Sequence, residues 1–399
     1  MGDHCAKNAT LDDFALSANP LRPSPKVNSC EERANQQIPP LPCGMTNHKE
    51  TTRPFALFLR DLCVVTLRPL RSRLNASDER IVSGETDMSQ GSSTVSELTA
   101  KFAIRDHITF HEDVPGLPYM RIATAASEAK LFLYGAHLAQ WTPVGGSPVL
   151  YMSPKSWMES GKPMRGGVPV LFPWFGPRWD GAEYDAAHGT TSPMHGFART
   201  TVWTVDRVHL HPTGEVEVTL SLPATADAKT FGYPDLHAVL DFRIGKDLHM
   251  DLAVTNRSNE AVVFEEGFHT YFAVGDVPAV RLLGLRGSTF LDKRDNMTRK
   301  VQRETEFVFT RDVDQLHVHT SEPLTLQDPG NHRTIHITKT GSQSTVVWNP
   351  WTVLTPNFAD LAPDSWEKFV CVEVVNAADD RVTLAAGATH GMAMAIVVS

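Results

Sequence analysis

From about Lys101 to the C-terminus the chain consists of short runs of β-forming residues punctuated by glycine, proline, asparagine and aspartate. Within residues 215–222, Val216, Val218, Leu220 and Leu222 alternate with Glu217, Thr219 and Ser221. Successive side chains of a strand point to opposite faces, so this period of two predicts a strand with one wet face. Similar runs occupy 119–125, 130–134, 237–244, 248–255, 261–266, 334–338, 369–375 and 392–398. No long segment carries the 3.6-residue period of a helix, and nothing repeats at the fixed interval of a propeller or solenoid. The pattern predicts an all-β domain over 100–399, most simply a large antiparallel sandwich.

Residues 1–99 have a different texture. The first 53 mix proline, asparagine and charge without apolar periodicity, a composition that favours disorder. Residues 54–74, RPFALFLRDLCVVTLRPLRSR, are arginine-rich and partly apolar, and Ser/Thr/Glu-rich sequence follows to about Leu98. A disordered leader, a regulatory tail and an organelle-targeting extension all fit. The acidic residues Asp3, Asp12, Asp13, Glu31 and Glu32 ahead of that stretch weigh against targeting.

Bulk composition narrows the function classes. The 399 residues carry a formal net charge of −9, which argues against a nucleic-acid partner held by phosphate neutralisation. Any anion must be gripped by a few local arginines. The five cysteines, Cys5, Cys30, Cys43, Cys63 and Cys371, include no CxxC spacing, so neither a disulfide framework nor a structural zinc site is expected. That points to a reducing compartment, the cytoplasm, or an organelle if the extension targets one. No run of about 18 apolar residues suggests a membrane span. Among the 17 histidines, His317 with His319 and His209 with His211 would each share a strand face. Without an HExxH-type constellation, no functional metal is expected from them. Gly166-Gly167 and Gly196 stand outside any phosphate-loop pattern.

Five segments place charged or ring-bearing residues where strand propensity does not ask for them. They are Arg165-Gly166-Gly167-Val168-Pro169 with FPWFGPR (172–178), His195-Gly196-Phe197-Ala198-Arg199, Glu266 to Phe272 (EGFHTYF), Trp348-Asn349-Pro350-Trp351, and Val372-Glu373-Val374-Val375-Asn376. Together they read as a carbohydrate site, with aromatic faces for a sugar ring, arginines for an anion, and an acid and a base for proton transfer. Glu373 is the sharpest signal, because a carboxylate in the apolar strand FVCVEVV is costly unless paired or functional. The bland readings are a water-facing edge-strand position for Glu373, a structural role for His269, surface arginines, and core tryptophans at 174, 348 and 351.

This ordered set resembles the aldose 1-epimerase family, and within it the hexose-6-phosphate mutarotase branch. The similarity covers roughly residues 100–399 and rests on RGGVPVLFPWFGPR, HGFAR, FHTYFAVGD and VEVVNA in the family's order. It implies a galactose-mutarotase-like β-supersandwich as the catalytic domain, His269 as general acid and Glu373 as general base. It also implies substrate contacts from Arg165, His195, Arg199 and Asp314, the last less securely because Asp312 lies two residues away. Met194 precedes the HG pair where the family pattern has a glutamine.

Mutarotation fits these residue types. A base takes the anomeric hydroxyl proton while an acid protonates the ring oxygen; rotation about C1–C2 and reclosure give the other anomer. The scheme needs no redox cofactor, metal or covalent nucleophile, and a monomer suffices. Guanidinium groups suit a sugar phosphate because their planar fork matches phosphate oxygens. The alternatives are an aldose mutarotase for unphosphorylated sugars and a non-catalytic carbohydrate-binding module.

Overall fold

The computed structural model describes residues 81–83, 93–178, 184–185 and 190–399. The leader expected over 1–99 lies outside the described residues up to 80 and again over 84–92. Folded structure nonetheless begins before residue 100. Strand Ile81–Ser83 pairs with Thr204–Leu210, and helix Val95–Phe102 buries Leu98 and Phe102. That helix starts where Thr94 and Glu97 satisfy each other's free backbone N–H groups in a capping box.

Two antiparallel sheets dominate. The larger has ten strands, running in space from Ile81–Ser83 through Thr204–Leu210, Val216–Ser221, Leu236–Ile244, Leu248–Asn256, Thr389–Val398, Arg333–Thr340, Leu324–Asp328 and Arg281–Leu283 to Phe307–Val308. The second, of eight strands, centres on Ser344–Asn349 and Phe369–Asn376. A four-stranded meander spans Ile108–His111 to His137–Pro143. The alternation read in 216–222 appears as alternating buried and half-buried positions along Val216–Ser221, and all-β architecture is the result. Among the described residues, no helix is long and apolar enough to cross a membrane.

Strand Phe369–Asn376 positions the chemistry. One face carries Val370, Val372 and Val374 into the main core. The other carries Cys371 and Val375 into a second cluster with Tyr271, Trp348, Phe369, Leu316 and Val346. Glu373 lies on this second face by the period of two, and it is 1% exposed. It is therefore not on an edge: Ser344–Asn349 flanks its strand on one side and Glu266–Phe268 on the other.

Candidate active site

His269 reaches Glu373 through strand register. Glu266–Phe268 and Tyr271–Ala273 both pair with Phe369–Asn376, with Phe268 opposite Val374 and Tyr271 opposite Cys371. The register carries through the break between them and places His269 across the ladder from Glu373. At the break, the His269 N–H donates to Pro169 O at 3.0 Å instead of to this ladder. Cross-strand neighbours have Cβ atoms about 5 Å apart, and here His269 Nδ1 lies 3.1 Å from Glu373 Oε1. The contact lacks hydrogen-bond alignment, so Nδ1 and Glu373 Oε2 are both buried polar atoms without a hydrogen-bond partner. The Tyr271 ring stacks on His269 at 4.6 Å and 17°, with its hydroxyl 3.4 Å from Nε2. Trp348 meets the imidazole edge-on at 5.9 Å.

Burial pushes His269 well below its ordinary value, and Arg165, Arg199 and Lys293 push it further. Burial pushes Glu373 well above the carboxylate range, against the pull of Lys293. Their mutual contact acts in the opposite sense on both, favouring imidazolium and carboxylate. In either arrangement the pair holds one proton and no net charge. A single proton moving across the gap converts neutral imidazole and carboxylic acid into imidazolium and carboxylate.

The two arginines differ in how far the protein already occupies them. Arg165 donates from Nε to Asp360 Oδ2 at 3.0 Å and from a terminal nitrogen to the Tyr271 hydroxyl at 3.1 Å. Its guanidinium carbon also lies 4.9 Å from the centre of the Phe358 ring. Among the described residues Arg199 makes one side-chain hydrogen bond, a terminal nitrogen donating to Met194 O at 2.6 Å, and its buried Nε has no hydrogen-bond partner. Burial and the neighbouring Arg165 bring it down to about 10, still a cation at neutral pH. Met194 is 52% exposed and offers this site its carbonyl.

His195 is not a donor to a backbone carbonyl through its ring. It accepts at Nδ1 from the Gly176 N–H at 2.9 Å, while its own N–H donates to Gly176 O at 2.7 Å. Burial and the charges of Arg199, His269 and Lys293 push the ring well below its ordinary value. The neutral tautomer therefore carries its proton on Nε2. The next residue must be glycine: a Cβ on Gly196 would stand 2.0 Å from Phe172 O.

Asp314 pairs with Lys293 at 3.1 Å, whereas Asp312, outside the strand Val313–Val318, pairs with Arg294. Lys293 was not legible as a site residue. It sits over the Phe175 ring at 4.6 Å, and its charge reaches His195, His269 and Glu373. Glu265 was also missed: its carboxylate accepts from the Phe175 and Ala378 N–H groups, tying the FPWFGPR loop to the end of the Glu373 strand. Trp174 is core, with its indole N–H donating to Pro193 O at 2.8 Å, and Trp351 packs on Trp366.

Of the two expected histidine pairs, one is split and the other is in contact. His319 follows the strand end with φ 54° and pairs with Asp380 at 2.7 Å, while His317 is fully buried. The two do not share a face. His209 and His211 are in ring contact at 4.4 Å, and His211 lies 2.9 Å from Glu217. Among the described residues the convergent ligand set is elsewhere: His269, Cys371 and Glu373 offer ligand atoms within 4.8 Å of one another.

The aldose 1-epimerase family profile matches residues 120–396. The chain belongs to the aldose 1-epimerase family. It is thereby an isomerase-type enzyme acting on sugars. A relative from Escherichia coli named "Putative glucose-6-phosphate 1-epimerase" is 32% identical over 64% of this chain and 81% of its own length. One of the same name from Cenchrus ciliaris is 28% identical over 65% and 78%. A Salmonella typhimurium crystal structure, titled as a "putative mutarotase", superposes with a TM-score of 0.67 at 26% identity. It covers 75% of this chain and 95% of the other. The supersandwich expected of this epimerase family is therefore the fold observed.

Proposed function

We propose that this epimerase interconverts the α and β anomers of a hexose 6-phosphate, glucose 6-phosphate foremost, with His269 as acid and Glu373 as base. The observation that carries the reading is the buried His269–Glu373 contact of 3.1 Å within electrostatic reach of a guanidinium, Arg199, whose Nε is unpartnered. The first gives acid–base chemistry and the second a place for an anion. The names borne by the relatives from Escherichia coli and Cenchrus ciliaris point the same way.

Glu373 as carboxylate accepts the proton of the anomeric hydroxyl while imidazolium His269 gives its proton to the ring oxygen, and the hemiacetal C1–O5 bond opens. After rotation about C1–C2, the transfers run in reverse on the other carbonyl face. His195, fixed with a proton on Nε2, donates to a sugar oxygen. Arg199 takes the phosphate, with Arg165 held beside it by Asp360 and Tyr271. A dianionic phosphate there offsets the guanidinium charges that disfavour imidazolium. It thereby moves the shared proton toward His269, the form the acid step needs.

Magnetisation-exchange NMR on glucose 6-phosphate and on glucose tests the assignment. Enzyme-dependent exchange is expected for the phosphate, well above that for glucose. Exchange equal to buffer would end the proposal, and faster exchange on glucose would transfer it to unphosphorylated sugars.

A further inference from the structure

We propose that His269, Cys371 and Glu373 form a tridentate site for a soft divalent cation, Zn2+ or Cd2+, which shuts the enzyme down by occupying its acid and base. The metal site stands on its own geometry; only its catalytic consequence rests on the mutarotase reading.

Imidazole nitrogen, thiol sulfur and carboxylate oxygen are three donors that zinc commonly combines. Their ligand atoms lie within 4.8 Å of one another, and the Nδ1 to Oε1 separation is 3.1 Å. Around a tetrahedral zinc, with bonds of about 2.0–2.3 Å, ligand atoms stand about 3.3–3.6 Å apart. The set therefore needs separations to close by at most about 1.2–1.5 Å, within reach of side-chain torsions. His269 and Glu373 are 8% and 1% exposed, and each carries a buried polar atom, Nδ1 and Oε2, without a hydrogen-bond partner among the described residues. Register explains the third donor: Cys371 is two residues before Glu373 on the same strand face, opposite Tyr271.

Charge also fits. The empty site holds a thiol and one proton shared by the pair, and is neutral. On binding M2+, the thiol proton and the shared proton leave to solvent, and thiolate and carboxylate cancel the metal's two charges, so the buried site stays neutral. Tyr271, 3.4 Å from Nε2 and held by Arg165, keeps the imidazole oriented, as the outer partner of a ligating histidine does. A thiolate in the set selects Zn2+ and Cd2+ over Mg2+ and Ca2+.

The test is Cd2+ titration of the full chain, followed by the ultraviolet thiolate-to-cadmium charge-transfer band, in wild type, Cys371→Ser, Glu373→Gln and His269→Ala. Cys5, Cys30, Cys43 and Cys63 are present in all four proteins, so the wild-type minus Cys371→Ser difference isolates Cys371. One equivalent of that band is expected, with affinity falling about tenfold or more in Glu373→Gln and His269→Ala. Those two variants carry the test if Cys371→Ser fails to fold. Stoichiometric Zn2+ should abolish mutarotation and EDTA restore it, with Mg2+ inert. A flat difference spectrum, or affinity unchanged in Glu373→Gln and His269→Ala, overturns the site. Binding as expected in a protein without mutarotase activity would fell the functional reading and leave the site standing. Turnover untouched by bound metal would refute the inhibition.

Discussion

Replacing Arg199 by alanine separates the two arginines of the candidate site. The side chain is half-buried beside Arg165 with its Nε buried, and among the described residues it donates one hydrogen bond, to Met194 O, leaving Nε for a ligand. A charge-assisted hydrogen bond contributes about 1.5–3 kcal/mol, and a bidentate grip makes two. With water refilling part of the loss, Arg199→Ala should remove about 3–4 kcal/mol of phosphate recognition, roughly 10²- to 10³-fold in kcat/KM for glucose 6-phosphate. The rate on glucose should not fall, since no donor to the ring is lost, and should rise as far as loss of the guanidinium charge favours imidazolium His269. Thermal unfolding gives a second readout. Inorganic phosphate at about a hundred times its Kd should stabilise wild type by about 2.7 kcal/mol and leave Arg199→Ala unmoved. Arg165→Ala behaves otherwise, because it strands Asp360, whose side chain is 2% exposed, and should destabilise the fold by about 3 kcal/mol. Equal loss on glucose and glucose 6-phosphate in Arg199→Ala, with phosphate stabilisation intact, would refute the assignment.

Glu373→Gln and His269→Ala should each lower the exchange rate on glucose 6-phosphate by about 10²- to 10⁴-fold. Glu373→Gln should keep the wild-type melting temperature, because burial already favours the uncharged form of this side chain; a variant that exchanges anomers at the wild-type rate removes Glu373 from the mechanism. Inorganic phosphite should accelerate anomer exchange of glucose by wild type, by filling the cation site that glucose leaves empty, and should have no effect on Arg199→Ala. Buried Lys339 is pushed down to about 7 by desolvation, from 10.5 when unfolded, so the unfolded chain binds more protons between those values. Stability should therefore rise with pH from about 7 to 8.5, and denaturant titrations of Lys339→Met should show a flatter profile. A wild-type profile already flat there would contradict the placement of that amine.

The sequence made the strands legible because period-two alternation is a local property, and the runs at 237–244, 369–375 and 392–398 lie within Leu236–Ile244, Phe369–Asn376 and Thr389–Val398. The helix Val95–Phe102 was missed because its signal is a capping box and two buried apolar residues, too short for periodicity to register. Glu373 was readable as a carboxylate out of place in an apolar strand. Its partner was not: that His269 stands opposite it depends on register across a broken strand, which no local pattern encodes. Lys293 and Asp360 were invisible for a related reason. Each acts through a residue distant in sequence, Asp314 and Arg165 respectively, and charged residues in loops look alike until the fold brings them together.

The charge pattern around His269 bears on why an acidic protein would hold three cations there. A chain of net charge −9 repels a sugar phosphate at long range, so attraction must be local and short-ranged. Arg165 and Lys293 are each matched by a carboxylate, Asp360 and Asp314, which leaves Arg199 as the cation of the three without an anionic partner among the described residues. An unmatched guanidinium with a buried, unpartnered Nε is costly in the empty enzyme, and that cost is relieved when an anion arrives. After burial and Arg165, the same unmatched charge disfavours imidazolium at His269 until then. Anion binding and acid formation are thus coupled through one electrostatic interaction, so discrimination between phosphorylated and free sugar would act on the proton-transfer step as well as on binding.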